Sequence, residues 1–345
     1  MNSDFGFVAM VKRISVACLT ATLFFLSSCD TSTQKETPQP VSESEVNIAV
    51  PKFNSDSAYN YVAKQVSFGA RVPNTKAHQQ CGDWLIETLK NFSDTVYVQA
   101  GEVKAFDNTP LKFRNIIAAF NPQNKKRIIL AAHWDTRPFA DQDKDQSKWR
   151  TPIDGANDGG SGVAVLLEIA RQLKANKIDL GVDIILFDAE DYGQPGFSTL
   201  PEKENSYCLG SQHWAKNFHT PGYSAKYGIL LDMVGAKGST FLMEGFSMQA
   251  HPELVRKVWN KAHQLGYTQY FLFQKTQAIT DDHYYVNTIA KIPMIDIISL
   301  HPQNLYSFHE SWHTHDDNLS VIDAKVLGAV GNTLLHVVYL ENTGK

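Results

Sequence analysis

Apolar positions along "SDSAYNYVAKQVSFG" recur at helical spacing behind a Ser/Asp start, which predicts a helix from Ser55. "TKAHQQCGDWLIETLKNF", residues 75–92, predicts a second. The pattern then changes. "TVYVQAGEV", "RNIIAAF" and "RIILAAHWD" read as strands, the last a short continuous apolar run of the buried kind. After it the two periods alternate. "GGSGVAVLLEIARQLKAN" (159–176) predicts a helix, "GVDIILFDAED" (181–191) a buried strand, "GSQHWAKNF" a helix and "YGILLDMVG" (227–235) a strand. "TFLMEG" adds another strand, "PELVRKVWNKAHQLG" (252–266) a helix, "IPMIDIIS" (292–299) a strand, and "SVIDAKVLGAVGNTLLHVVYLE" (320–341) a closing helix. Such alternation predicts a single-domain α/β sandwich, a central mixed and mostly parallel β-sheet flanked by helices on both faces. The consecutive strand runs over 95–132 predict antiparallel pairing at one edge. No Pro/Gly/Ser-rich linker interrupts residues 50–345, so that stretch is expected to be one domain.

The first residues follow another pattern. Lys12 and Arg13 precede "ISVACLTATLFFLSS", which ends at Cys29. That run is short of the ~20 apolar residues of a spanning helix. A basic start and a short apolar stretch read as a secretory signal over residues 1–28. The ending "LSSC" resembles the lipobox of bacterial lipoproteins, in which cleavage exposes a cysteine for lipid attachment. Cys29 is therefore the expected lipid site, and the chain is expected to be exported and membrane-anchored on the periplasmic or cell-envelope side. "DTSTQKETPQPVSESEVN" has almost no apolar content, so residues 29–49 are expected to be a disordered tether. Only Cys81 and Cys208 then remain in the domain. Export permits a disulfide between them, but two small buried thiols are an equally good reading.

Composition narrows the picture only a little. A net charge of −4 with no basic stripe argues against a nucleic-acid partner.

Candidate chemistry follows from the strands. In open α/β sheets, ligands gather at the carboxyl ends of the strands. Polar clusters stand there. His133 and Asp135 follow "IILAA", Asp188, Glu190 and Asp191 follow "DIILF", and Asp232 follows "YGILL". Asp158 precedes the glycine-rich start of a helix. Asp281, Asp282 and His283 precede the strand at 292–299, and His313 follows it. Each alone is common at surface turns and strand ends; their recurrence at one end of successive strands is not. A mixed Asp/Glu/His set points to zinc, which in catalytic sites takes about three protein ligands and leaves a position open. Fe(II), favouring two histidines and one carboxylate, is a poorer match, and Mg²⁺ and Ca²⁺ rarely use histidine. Glu190 and Asp191 can divide the work at a strand end, one on the metal and one handling protons. "DQDKDQSK" (141–148) reads as a solvated loop at the pocket rim, and His315, Asp316 and Asp317 as supporting groups.

With these residues assembled, the chain resembles the animal-type, zinc-dependent glutaminyl-peptide cyclotransferases, which are related in fold to the di-zinc aminopeptidases. "AAHWDTRPFAD", "DGANDGGSGVAVLLEIAR", "ILFDAED", "YCLGSQHWA", "ILLDMVGA", "ITDDHYY" and "SWHTHDDN" carry the resemblance, in matching order over roughly residues 52–341. It implies one zinc per chain on Asp158, Asp191 and His313, with Glu190 as general acid/base. Asp232 and Asp281 would be proton-handling carboxylates, sharing a hydrogen bond if one keeps its proton. Trp312 and Phe308 would line the substrate pocket. The implied substrates are peptides or proteins with N-terminal glutamine, and the implied product is pyroglutamate with release of ammonia. Asp191 is a departure, since many family members have glutamate there; the shorter side chain can still ligate. Two rivals remain open. A di-zinc aminopeptidase would use His133 and Asp232 for a second zinc, with Asp158 bridging and Asp135 supporting. A non-catalytic binding module on the same fold would need none of these roles.

Overall fold

The central sheet sets four parallel strands beside an antiparallel pair. The structure, a computed structural model, describes residues 49–301, 303 and 308–344, all within one compact unit. The expected signal (1–28), the lipid site Cys29 and all of the tether except its last residue lie outside the described residues.

In chain order the elements are α1 (Ser55–Val66), α2 (Lys76–Phe92), β1 (Thr95–Lys104), β2 (Pro110–Phe120), β3 (Arg127–His133), α3 (Gly160–Ala175), β4 (Gly181–Phe187) and α4 (Leu209–Lys216). There follow β5 (Gly228–Asp232), β6 (Phe241–Met243), α5 (Gly245–Ala250), α6 (Pro252–Gln264), β7 (Phe271–Lys275), α7 (Asp282–Tyr285), β8 (Met294–Ile298) and α8 (Ala324–Asn342). The sheet order is β1-β2-β4-β3-β5-β8, with β6 and β7 as a separate pair. The expected edge hairpin is there in β1 and β2, in register from Thr95–Ala119 to Lys104–Pro110. The third strand run does not extend it. β4 takes the place beside β2, and β3 lies parallel between β4 and β5.

The continuous apolar runs are explained by covering on both faces. Ile128, Leu130 and Ala132 of β3 pack with α1, α2, α3, α6 and α8. Ile129 and Ala131 point the other way, toward Trp214 of α4 and Val286. Truncating a buried side chain such as Leu334 of α8 to alanine would cost about 2–5 kcal/mol.

Local chemistry sets the element ends. Asn54 and Thr75 cap α1 and α2 by accepting from Ser57 and His78 N–H. The closing helix begins later than periodicity predicts because Asp323 caps it and Leu319–Val321 forms a separate 3₁₀ turn. β4 stops at Phe187 rather than running to 191. Asp188 is drawn to His78 and to the Arg114 N–H, and Ala189 adopts φ +54°. That left-handed residue turns the chain and delivers Glu190 and Asp191 to the end of the sheet.

Candidate active site

β3, β4, β5 and β8 run parallel, so their carboxyl ends share one edge of the molecule. His133 and Asp135, then Glu190 and Asp191, then Asp232 all emerge there. Asp158 stands in the turn before α3, where Gly159 has φ +82°. A Cβ on Gly159 would lie 2.6 Å from the Asp135 carbonyl and 3.1 Å from the His133 ring. Only glycine fits, and the turn is thereby pressed against His133. Asp281 caps the short α7. His313 follows β8 in the chain and itself adopts φ +55°. Non-glycine residues in this region are uncommon; Ala189, Cys208, Met233 and His313 all stand at or beside site residues.

Asp158, Asp191 and His313 converge. Each offers a ligand atom, and the three atoms lie within 4.8 Å of one another. His313 Nε2 is 3.4 Å from Asp191 Oδ1 and 3.8 Å from Asp158 Oδ2. Donors about 2.0–2.3 Å from a tetrahedral zinc stand at similar separations. Asp191 Oδ2 is buried and has no hydrogen-bond partner. One nitrogen and two carboxylates, buried and partly unsatisfied, fit a catalytic zinc.

His133 Nε2 lies 3.0 Å from Asp158 Oδ1 and 3.2 Å from Asp232 Oδ1, so these three form a second group of metal-ligand type. Burial lowers the His133 pKa, but the carboxylates of Asp135, Asp158 and Asp232 outweigh it and raise it well above the usual value. Burial raises the Asp232 carboxyl to about 7, with the charges of Asp281 and Asp158 adding to it. Among the described residues no hydrogen bond joins Asp232 to Asp281. Asp281 Oδ1 instead accepts from the Asp282 N–H.

Glu190 is braced from three sides. Its N–H donates to Asp135 Oδ1 (3.0 Å), its carbonyl accepts from the Cys208 N–H (2.9 Å), and its Oε1 lies 3.1 Å from Cys208 Sγ. Burial raises the carboxyl well above the ordinary range; His133 pulls it down and Asp191 and Asp281 push it up. Cys208 and Cys81 are both free and buried. A lone cysteine in "NSYCLGSQH" carries no sequence signal for contact with a carboxylate.

Carboxylates from other segments hold each ligand loop. Asp135 accepts from both the Glu190 and Asp191 N–H groups. Asp317 accepts from the Asn157 and Asp158 N–H groups at 2.7 and 3.0 Å. Asp141 lies against His313. This last contact corrects the reading of 141–148 as simply solvated. Residues 142–148 are largely exposed, but the Asp141 side chain keeps 6% exposure because Arg137 pairs with it. Arg137 and Asp141 both stand in "HWDTRPFAD", but Asp141 also opens the polar run 141–148 and so looks solvated. Trp312 stacks on the His313 ring at 3.7 Å and 25°, and Phe308 packs on Trp312 at 4.6 Å. Both are half-buried.

Four parallel strands that bring two carboxylates and a histidine together at their carboxyl edge, with the largely buried Glu190 beside them, define a zinc-dependent enzyme of the exopeptidase architecture. The chain belongs to peptidase family M28, which it matches over residues 115–338. Within that family it is similar to glutaminyl cyclases. The solved glutaminyl cyclase of Bacteroides thetaiotaomicron, bound to N-acetylhistamine, is 51% identical, with a TM-score of 0.82 over 84% of this chain and 99% of that one. The glutaminyl-peptide cyclotransferase of Drosophila melanogaster is 28% identical over 73% of this chain and 72% of its own length. A structure described as a Zn-dependent exopeptidase from Parabacteroides distasonis is 54% identical, with a TM-score of 0.83 over 84% of this chain and 99% of that one.

Proposed function

We propose that this enzyme is a glutaminyl-peptide cyclotransferase, converting the N-terminal glutamine of peptides to pyroglutamate with release of ammonia. The observation that carries the reading is a largely but not fully buried carboxyl, Glu190, on the same turn as Asp191, in a site whose histidine is covered by Trp312. The relatives named as glutaminyl cyclases support it.

Asp158, Asp191 and His313 would hold one zinc. When bound, zinc would supply Lewis-acid polarisation of the substrate's side-chain amide. Trp312 and Phe308 offer an apolar wall for the glutaminyl methylenes and exclude water. Holding the substrate folded, with its α-amine against its own amide carbon, removes much of the entropic barrier to ring closure. Glu190 accepts a proton from the attacking amine and returns one to the departing nitrogen. A carboxyl raised by burial suits both halves of that exchange.

The group His133, Asp158 and Asp232 favours a second reading, a di-zinc aminopeptidase. One assay separates the two. A peptide beginning with glutamine should lose the mass of one ammonia and remain a single chain. Release of a free amino acid, with two tightly bound zincs per chain, would instead establish the peptidase.

The same reading extends to the N-terminus. Export, and anchoring through a lipid on Cys29, would place the enzyme at the cell envelope. Lipid labelling of the wild type but not of Cys29→Ala tests this, and equal labelling of both would reject it.

A further inference from the structure

We propose that Arg137 and Asp141 form a positioning clamp that joins two of the three metal ligands and sets the affinity of the zinc centre. Arg137 is completely buried, and its guanidinium grips Asp141 with two bonds, Nε to Oδ1 at 2.7 Å and Nη2 to Oδ2 at 2.9 Å. This two-point fit fixes the carboxylate plane in a way a single ammonium could not. The clamped oxygen Oδ1 lies 3.1 Å from His313 Nδ1, off the line of an aligned hydrogen bond. The other ring nitrogen, Nε2, is the one that faces Asp191 and Asp158. A carboxylate at Nδ1 favours the tautomer with its proton there, which leaves the Nε2 lone pair free for a metal.

The third guanidinium nitrogen turns the opposite way. Arg137 Nη1 donates to the Asp191 carbonyl at 3.1 Å, approaches Asp191 Oδ1 at 3.4 Å and reaches the Gly193 carbonyl at 3.4 Å. Through Asp141, this one side chain therefore links the loop carrying Asp191 to the loop carrying His313, although 122 positions separate those ligands in sequence (313 − 191). The backbone repeats the link, since the Gln142 N–H donates to the His313 carbonyl at 3.1 Å. Charge argues the same way. Arg137 offsets part of the negative charge that Asp141 and Asp191 bring together, which helps to hold the two loops near their ligating positions.

The inference rests on the metal centre proposed above and not on the reaction. Zinc affinity is measured by chelator competition on the full domain for wild type, Asp141→Asn, Asp141→Ala and Arg137→Lys. The Co²⁺-loaded proteins are compared by visible absorption, which reports ligand geometry independently of turnover. The expected result is a loss of zinc affinity of roughly 10–100-fold for Asp141→Ala. Asp141→Asn, which keeps an acceptor, should lose less, and Arg137→Lys should alter the cobalt spectrum. If Asp141→Ala does not fold, the isosteric Asp141→Asn is decisive, with a loss of at least several-fold expected. Wild-type affinity and an unchanged cobalt spectrum in folded Asp141→Asn and Arg137→Lys would overturn the clamp. A wild type that binds no zinc would instead overturn the metal centre itself.

Discussion

The indole of Trp312 lies 3.7 Å from the imidazole of His313, its sequence neighbour, with the two planes inclined by only 25°. Adjacent residues seldom stack so closely, and here His313 at φ +55° allows it. The indole thus covers one face of the His313 ring, and the proposed function makes it a wall for the glutaminyl side chain. Trp312→Ala should raise KM at least ten-fold for a glutaminyl peptide, since it removes most of an aromatic contact surface. Zinc content should stay at the wild-type level. Steady-state kinetics with metal analysis checks both, and an unchanged KM would remove Trp312 from the pocket.

Glu190 should be separable from the metal. Glu190→Gln keeps the shape and loses the base, so turnover should fall by roughly 10²–10⁴-fold while zinc remains bound. Cys208→Ala removes the thiol 3.1 Å from Glu190 Oε1 and should lower kcat more than it changes KM. Cys208→Ser, which restores a donor, should recover part of the loss. Full activity in Glu190→Gln would show that another group moves the proton.

Stripping the metal should abolish the reaction and leave the fold. The core is built from strand and helix side chains on both sides of the sheet, independent of the ligand loops. Chelator-treated enzyme should therefore keep its far-ultraviolet circular dichroism and recover activity on addition of Zn²⁺. A cooperative loss of secondary structure on chelation would contradict this.

The sequence made the fold legible wherever one physical signal dominated. Runs such as "RIILAAH" are apolar on both faces, so burial alone marks β3, and α3 and α8 announce themselves by period. The gathering of acid and histidine groups at one end of the sheet could be read because a parallel sheet puts successive strand ends together, whereas the particular set Asp158, Asp191 and His313 rested on the family resemblance. The order of strands was less legible. Nothing local to β3 says that β4 takes the place beside β2, since that choice depends on crossover connections. β7, with only Phe271 fully buried, carries a weak pattern. The clamp on His313 was hidden for another reason. Asp141 opens a run of polar residues that look solvated, and its burial comes from Arg137 and from a segment near residue 313, far along the chain. Contacts of that kind leave no periodic trace.

A last expectation concerns acid stability away from the metal. Glu244 is fully buried at the start of α5 and accepts from the Phe246, Ser247 and Ile279 N–H groups at 2.7–2.8 Å. Its Oε2 also meets the Ser247 hydroxyl at 2.8 Å and His283 Nε2 at 3.1 Å. Burial would raise its carboxyl, but His283 and these N–H groups hold it down to about 2, against 4.5 for an ordinary glutamate. A folded-state pKa below the unfolded one means that the unfolded chain takes up the proton first as pH falls. The stabilisation is therefore complete above about pH 4.5 and fades as pH drops toward 2. A shift of this size corresponds to about 3 kcal/mol. Glu244→Gln should unfold at lower urea than wild type at pH 7. The gap in unfolding free energy should shrink steadily below pH 4.5. A gap that stayed constant down to pH 3 would mean that Glu244 acts by shape alone and not through its charge.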